Sequence, residues 1–325
     1  MSILEVNARN ARMLSMLGQR GSIFGVALPD IAQTNENIKV LTADLGLLSG
    51  LGKFIAAHPD KYLNVGIAEQ NMLGIASGLA KEGNCVFVTT YATFVTMRSF
   101  EQIRNNLGYM KFNVKVIGSS GGLAMGMSGN EHYALEDISL MRSVPNMTVL
   151  SPADGVEALK MAFGIAEING PVYLRLTGGL NCPMVYKEDY QFEIGKAVKL
   201  REGSDVAVIA TGTMVNEALK AADLLEQEGI SACVINMHTI KPLDGEMLNT
   251  LYEKFPFIVT VEEHSKIGGL GSAVAEHKTC VKNAPAHLIL ALPDMFGMVA
   301  EQGFLLDKYG LNSMGIAKSI KNFIE

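Results

Sequence analysis

One carboxylate, Glu69, lies near the start of an otherwise small and mainly apolar segment, NVGIAEQNMLGIASGLA (residues 64–80). The segment follows a short strand-like run at 62–65, and its pattern predicts a helix whose first turn carries the acid. An ionised carboxylate without a partner is costly to bury, so Glu69 must be solvated, paired, protonated or kept for chemistry. A purely structural alternative is open, because a first-turn carboxylate also complements the helix dipole.

Other residues that could do chemistry stand just past other predicted strands. They are Asp44, Tyr91 with Phe94, the glycine-rich loop 119–132, Asp154 and Arg175. The carboxyl ends of parallel strands meet at one edge of a sheet, and ligands bind there. These positions therefore predict one site at the top of a first domain. Structural alternatives remain, since the aromatic residues could belong to the core and Asp44 could cap a helix or turn.

Short β-branched runs alternate with amphipathic segments, which predicts an α/β fold of mostly parallel sheets flanked by helices. The predicted strands are 38–42, 62–65, 85–89, 114–118, 147–150, 172–176, 206–210, 232–236, 258–261 and 288–290. The predicted helices are 5–17, 67–80, 93–105, 135–143, 155–168, 215–227, 245–254, 272–282 and 315–323. An irregular stretch with glycines and a proline at 177–196 separates two halves. We expect a first domain over 1–185, a linker over 186–198 and a second domain over 199–325.

The amino-acid composition and net charge limit the kinds of partner that this chain could bind. The 325 residues are 48% hydrophobic, enough for a large core, and the net charge of −6 comes without a Lys/Arg-rich run. This balance argues against nucleic acid or an anionic membrane as partner. Four scattered cysteines without a C-x-x-C pair, the absence of a secretion signal at the start and the lack of a membrane-length apolar run predict a soluble, cytoplasmic protein.

Four segments, in this order, resemble the transketolase family of thiamine-diphosphate enzymes. They are YLNVGIAEQNMLGIASGLA (62–80), YATF (91–94), HYALEDISLMRSVPNMTVLSPAD (132–154) and LLDKYGLNSMGI (305–316). The resemblance covers essentially the whole chain. It implies a thiamine-diphosphate pyrimidine-binding domain followed by a transketolase carboxyl-terminal domain.

The resemblance also implies roles for individual residues. Glu69 would hydrogen-bond N1′ of the aminopyrimidine and favour the imino tautomer that takes the C2 proton of the thiazolium ring. Tyr91 and Phe94 would wall the pyrimidine ring, and Asp44 would lie beside the cofactor. His132 would hydrogen-bond the sugar substrate and so act in catalysis.

The resemblance implies that Arg175 binds the anionic group of the substrate and that Arg9 is a second arginine with this role. A guanidinium suits the task because it makes paired bonds to an oxyanion. The structural alternatives are an interdomain salt bridge for Arg175 and surface charge for Arg9. Two positions depart from the family pattern. Ser128 stands where the family has an aspartate that would hydrogen-bond a hydroxyl of the donor sugar, and Tyr133 replaces a glutamine after His132. These departures leave the sugar open.

One expected motif is absent from this chain. The family holds Mg²⁺ and the diphosphate with a Gly-Asp-Gly motif on a separate domain, and the closest string here is the Ala-Asp-Gly at 153–155. The resemblance therefore implies that this chain binds the pyrimidine half of thiamine diphosphate and holds no metal. An amino-terminal transketolase subunit would supply the diphosphate and Mg²⁺ half, in a heterotetramer of two plus two.

The resemblance thus predicts one subunit of a heteromeric transketolase. The enzyme would move a two-carbon ketol unit from a ketose donor to an aldose acceptor, each carrying a phosphate or another anion such as a sulfonate. Three alternatives remain: a 1-deoxy-xylulose-5-phosphate synthase-like activity, a 2-oxoacid dehydrogenase E1 beta-like subunit, and a non-catalytic partner of a thiamine enzyme.

Overall fold

The computed structural model describes residues 6–325, so the first residue of the predicted helix 5–17 lies outside the described part. The strands, in chain order, are β1 (Ile38–Thr42), β2 (Tyr62–Asn64), β3 (Cys85–Tyr91), β4 (Val114–Ser119), β5 (Thr148–Leu150), β6 (Val172–Leu176), β7 (Val198–Arg201), β8 (Val206–Ala210), β9 (Ala232–Asn236), β10 (Thr239–Lys241), β11 (Phe257–Ser265) and β12 (Ala286–Leu292). All ten predicted strands are present. The two additional ones, β7 and β10, are short and lie at sheet edges.

The strands form two mostly parallel sheets. The larger has the order β10-β5-β6-β4-β3-β1-β2 and the smaller the order β12-β11-β8-β9-β7. Only β10 in the first sheet and β7 in the second pair antiparallel with their neighbours, among the residues described. The predicted fold class is confirmed. The inner strands β4, β6 and β8 are buried along their whole length, as expected for parallel sheets covered on both faces.

Helices cover both sheets. They are α1 (Ala8–Ser22), α2 (Leu28–Thr34), α3 (Gly52–Ala57), α4 (Glu69–Lys81), α5 (Phe100–Gln102), α6 (Asp137–Ser143), α7 (Gly155–Glu167), α8 (Met214–Gln227), α9 (Gly245–Lys254), α10 (Leu270–Lys278), α11 (Gln302–Lys308) and α12 (Ser313–Ile324). The predicted helix 93–105 is instead two π-helical segments, Phe94–Arg98 and Ile103–Tyr109, around the short α5. Over residues 6–325, no helix combines the length and the apolar character needed to cross a membrane.

The second half of the chain is joined to the first by buried polar contacts as well as by β10. Glu157 of α7 is fully buried and accepts hydrogen bonds from Asn236 at the end of β9 and from Tyr186 and Tyr190 of the connecting segment. Burial raises the pKa of Glu157. The bonds from Asn236 cross from the second sheet to α7, so these contacts tie the second sheet to the first.

Candidate functional site

The carboxyl ends of the central strands of the first sheet lie side by side. Tyr91 at the end of β3 is in register with Ser119 of β4, and Ser119 is in register with Leu176 of β6. The predicted site residues that follow these strands therefore start from one edge of the sheet. This edge is the candidate site.

Glu69 is the first residue of α4, and only 6% of its surface is exposed. No side chain caps α4, so the acid lies at an uncapped helix start where the dipole favours negative charge. Its Oε1 accepts a hydrogen bond of 3.0 Å from Nη1 of Arg98. The nearly buried carboxylate is thus paired with an arginine within this chain.

Arg98 is a site residue that the sequence analysis missed. It ends the π-helical segment Phe94–Arg98, and its guanidinium carbon lies 3.9 Å from the centre of the Phe94 ring. The only sequence signal that places Arg98 beside Phe94 is their spacing. Arg98 stands four residues after Phe94, and residues four apart on a helix share a face. One arginine therefore links the predicted acid to the predicted aromatic wall.

Three predicted residues form an aromatic cluster. The ring centres of Tyr91 and Phe94 are 5.8 Å apart, those of Phe94 and His132 are 5.4 Å apart, and those of Tyr91 and His132 are 6.2 Å apart. Nδ1 of His132 is buried without a hydrogen-bond partner among the described residues. A buried, unsatisfied ring nitrogen beside an aromatic slot is a place where a ligand group can bind.

The loop 119–132 reaches the cluster because Tyr133 fixes its end. The buried Tyr133 hydroxyl donates to the carbonyl of Gly126 at 2.7 Å and lies 2.9 Å from the carbonyl of Met298 in the second half. The departure from the family pattern at this position is therefore a structural anchor for the neighbouring His132. Ser128 is exposed and ends the turn Gly126–Ser128 of the same loop.

Asp44 lies at the end of β1 and is exposed. Its backbone has a φ of 60°, in the left-handed region, and two hydrogen bonds of 3.0 Å join Asp44 and Asn64 reciprocally. Asn64 also accepts from the backbone of Gly66, just before α4. The pair links the ends of β1 and β2 near Glu69, and no contact between Asp44 and the aromatic cluster is present among the described residues.

A cavity of about 280 Å³ adjoins the aromatic cluster. Its wall includes Tyr91, Ser120, Thr177 and Gln302, and its charged residue is Arg20 of α1. Arg20 donates a long hydrogen bond of 3.4 Å to the carbonyl of Leu48. The sequence alone did not single out Arg20, because it carries no motif and its position is set by the packing of α1 against α7.

The two arginines predicted to hold the substrate's anion lie elsewhere. Arg175 is buried at 2% exposure, forms an ion pair of 2.8 Å with Asp137, and donates to the carbonyls of Ala134 and Glu263 and the hydroxyl of Thr177. These contacts favour a structural role: the ion pair lies within the first half, and the bond to the carbonyl of Glu263 reaches the second half. The anion-binding role of Arg175 stays a prediction. Arg9 is exposed on α1 beside Arg12 and Met13.

The glycine-rich stretch 268–271 binds a carboxylate of the chain itself. Glu262 accepts hydrogen bonds of 2.7 Å from the backbone N–H groups of Leu270 and Gly271, and burial raises the pKa of Glu262 to about 7. The neighbouring Glu263 accepts from the backbone of Leu123 in the loop 119–132. Glu262 therefore has a structural role within the second half, and Glu263 joins the second half to the first.

The comparisons with known proteins agree with this arrangement. Residues 20–182 match the model of the transketolase pyrimidine binding domain, and residues 195–316 match the model of the transketolase C-terminal domain. The chain belongs to the transketolase family. The aromatic cluster, Glu69 and the cavity all lie at the edge of its pyrimidine-binding domain.

Several members of the transketolase family that are close in length to this chain are subunits of larger enzymes by name. A 6-deoxy-6-sulfo-D-fructose transketolase subunit of Clostridium sp. (strain MSTE9) is 40% identical over 92% of both chains. An apulose-4-phosphate transketolase subunit of Phocaeicola vulgatus is 37% identical over 93% of this chain and 96% of that one. A solved split gene transketolase, an inactive beta4 tetramer, is 40% identical, with a TM-score of 0.84 over 94% of this chain and 97% of that one.

Longer relatives match this chain over only part of their own length. A 1-deoxy-D-xylulose-5-phosphate synthase of Synechococcus sp. (strain JA-2-3B'a(2-13)) is 36% identical over 92% of this chain, but the match spans only 46% of that protein. This transketolase-family chain therefore corresponds to about half of the synthase and to nearly all of the split subunits.

The residues present fit the pyrimidine half of thiamine diphosphate. The nearly buried Glu69 and the face of Phe94 are both within reach of one planar group, because the Arg98 guanidinium contacts both of them. A planar ring with a nitrogen that needs a hydrogen-bond partner requires the same pair of contacts. The unsatisfied Nδ1 of His132 belongs to the same cluster as Tyr91 and Phe94, whose rings the imidazole contacts. The chain contains no Gly-Asp-Gly motif to hold a diphosphate with its metal.

Proposed function

We propose that this chain is the carboxyl-terminal subunit of a two-chain transketolase. The enzyme transfers a two-carbon ketol unit from a ketose donor to an aldose acceptor, both carrying an anionic group. One observation carries the proposal: Glu69, Phe94 and His132 meet at the edge of a pyrimidine-binding domain in a chain that matches split transketolase subunits over nearly its whole length.

The chemistry that thiamine diphosphate supplies when bound is a nucleophilic carbon that attacks a sugar carbonyl. Glu69 holds a proton between its carboxylate and N1′ of the aminopyrimidine, which tunes the cofactor's own amino group as a base. Phe94 and Tyr91 exclude water from the ring, and Asp44 lies beside the cofactor at the β1 side. His132 exchanges a hydrogen bond with a hydroxyl of the sugar.

For the substrate's anion, we favour Arg20 over Arg175 and Arg9, the two arginines that the resemblance implies. It is half-buried in the wall of the cavity beside Tyr91 and Ser120, and the 3.4 Å bond to Leu48 leaves most of its guanidinium donors available to a ligand. A guanidinium in such a position pairs with a sulfonate or a phosphate equally well. The relatives named for a sulfosugar and for a sugar phosphate support an anionic sugar as the substrate class.

A partner subunit completes the active site in this proposal. It holds the diphosphate and Mg²⁺, and two copies of each chain form a heterotetramer. Large apolar side chains beside the cavity support a covering partner. Leu47, Leu48 and Leu180 are exposed by 80%, 67% and 75% and line a neighbouring depression that shares Arg20 with the cavity. The split gene transketolase solved as an inactive beta4 tetramer supports inactivity of this chain alone.

We also place the enzyme in the cytoplasm. All four cysteines are free thiols in the structure: Cys85, Cys182 and Cys233 are buried, and Cys280 is exposed. Burial raises the pKa of the Cys182 thiol to about 12, which keeps it protonated and unreactive. Free thiols without bridges fit a reducing compartment.

The test compares the purified chain with the complex that it forms when co-expressed with a chain carrying a Gly-Asp-Gly motif. Ketol transfer is measured from a panel of ketose phosphates and sulfonated ketoses to an aldose phosphate. We expect no turnover by the chain alone and turnover by the complex. Turnover by the isolated chain would contradict the two-chain proposal, and consumption of pyruvate in place of a ketose would point to synthase-like chemistry.

A further inference from the structure

Arg98 makes both of the contacts that the proposed function assigns to the aminopyrimidine ring. Its guanidinium lies over the Phe94 ring at 3.9 Å and donates a 3.0 Å hydrogen bond to Glu69. We propose that Arg98 occupies the pyrimidine subsite in the free chain and must swing out before the cofactor's ring can bind. The inference depends on the proposed function and adds a self-blocking residue to the site.

A guanidinium is a good chemical substitute for the ring that it displaces. It is planar, it carries positive charge and it donates N–H groups in its own plane, so it can lie on an aromatic face while pairing with a carboxylate. A pyrimidine that is protonated at N1′ presents the same combination to Phe94 and Glu69. The two groups therefore compete for one aromatic face and one carboxylate oxygen.

The surroundings of Arg98 fix its backbone and leave its side chain able to move. Its carbonyl accepts a 2.8 Å hydrogen bond from the side chain of Gln70, the residue after Glu69, so the backbone stays beside α4. The Arg98 side chain is 51% exposed, whereas the Glu69 side chain is 7% exposed. Arg98 can therefore leave by rotating into solvent, while the carboxylate stays in place.

In the free chain, Arg98 gives the Glu69 carboxylate an ion-pair partner. Without Arg98, Glu69 would be a nearly buried carboxylate facing an aromatic face, which is costly. With Arg98 in place the carboxylate is satisfied before the cofactor arrives, and the cofactor must replace that ion pair. The cost of the replacement lowers the apparent affinity for the ring.

The test uses thiamine, whose pyrimidine does not need the diphosphate-binding partner. Isothermal titration of thiamine into the purified full chain compares wild type with Arg98→Gln, which removes the charge and the planar cation. A half-exposed ion pair and a half-exposed cation–π contact together account for a roughly three- to thirtyfold change in affinity. We expect Arg98→Gln to bind thiamine tighter by that factor, and Arg98→Lys, which keeps the charge without the planar stack, to lie between.

Arg104→Gln is the matched control. Arg104 is an exposed arginine on the next π-helical segment that donates to Asn105, so the same loss of charge there should leave thiamine affinity unchanged. Weaker or equal binding by Arg98→Gln would overturn the inference, because it would mean that Arg98 supports the cofactor or ignores it.

Glu69→Ala separates this inference from the proposed function. If wild type binds thiamine and Glu69→Ala does not, the result supports a pyrimidine site at Glu69, whatever affinity Arg98→Gln shows. If no variant binds thiamine and a complex with a Gly-Asp-Gly chain shows no turnover, both the inference and the proposed function are overturned. If the complex turns over but Arg98→Gln gains no affinity for thiamine, only the inference is overturned.

Discussion

Glu69 is the residue on which the proposed chemistry depends. We predict that Glu69→Gln in the assembled enzyme lowers kcat by about a hundredfold or more, because the variant cannot share a proton with N1′ as the carboxylate does. Assembly should be unaffected, since the side chain lies at the site edge, where it pairs with the half-exposed Arg98. Steady-state kinetics and gel filtration measure both effects.

Glu82→Gln is the control, because Glu82 lies exposed at the other end of α4. An unchanged rate for Glu69→Gln, or an equal loss for Glu82→Gln, would favour the non-catalytic scaffold over the enzyme.

Arg20 is predicted to read the anionic group of the sugar. Arg20→Gln should raise KM for a ketose phosphate or sulfonate by about tenfold or more, because a charge-assisted hydrogen bond is lost. KM for a neutral ketose should stay the same. Arg9→Gln removes a charge from the exposed part of α1 and serves as the comparison. Equal effects of the two substitutions would show that the cavity beside Tyr91 does not hold the anion.

The elements around the site act by placing the loop 119–132, and Tyr133 is its anchor. Tyr133→Phe leaves the carbonyls of Gly126 and Met298 without their donor, which should lower the free energy of unfolding by about 1–3 kcal/mol. KM for the sugar should rise, because His132 is the preceding residue, while thiamine affinity should change less.

Tyr109→Phe gives the matched control for this substitution, since Tyr109 is 84% exposed. Chemical denaturation and kinetics of both variants check the prediction, and it would fail if Tyr133→Phe matched Tyr109→Phe in stability and KM.

The strand β11 carries a buried acid whose titration is coupled to folding. Burial raises the pKa of Glu262 to about 7, above the value of about 4.3 expected in the unfolded chain. The folded state therefore holds the proton more tightly, and the stability gained this way is present at low pH and is lost as pH rises through about 7. Nearby His264, with a pKa lowered to about 4 by burial, is neutral in the folded protein near pH 7.

We predict that the advantage of wild type over Glu262→Gln in free energy of unfolding shrinks by about 3 kcal/mol between about pH 4 and pH 7. Urea denaturation across this range measures it. Glu253→Gln, at an exposed position of α9, should show a difference that does not depend on pH. A pH-independent difference for Glu262→Gln as well would contradict the buried, protonated acid.

At the scale of the whole molecule, local sequence patterns were sufficient to predict most strands of both sheets. Ten strands were predictable because buried parallel strands are short, continuous apolar runs such as β8 and β9. The edge strands β7 and β10 were not, because their few residues are defined by pairing partners that are distant in sequence. The same limit applies to α2, α3 and α11, which are short and lack a clear apolar period.

The site was predictable where it depends on strand ends and less so where it depends on side-chain direction. Tyr91, Phe94 and His132 come together because each follows a strand or the loop beyond one. Arginines are long and reach across elements, so the sequence could not show that Arg175 turns inward to Asp137 or that Arg98 reaches Glu69. Those contacts are decided by packing in three dimensions.

The most direct test of the central claim is a structure of the two-chain complex with thiamine diphosphate bound. We predict that the aminopyrimidine ring lies against Phe94 with N1′ within hydrogen-bond distance of Glu69, that Arg98 is turned into solvent, and that the other chain alone holds the diphosphate and Mg²⁺. A structure in which Glu69 faces water with no thiamine ring in reach, or in which this chain binds the diphosphate, would contradict it.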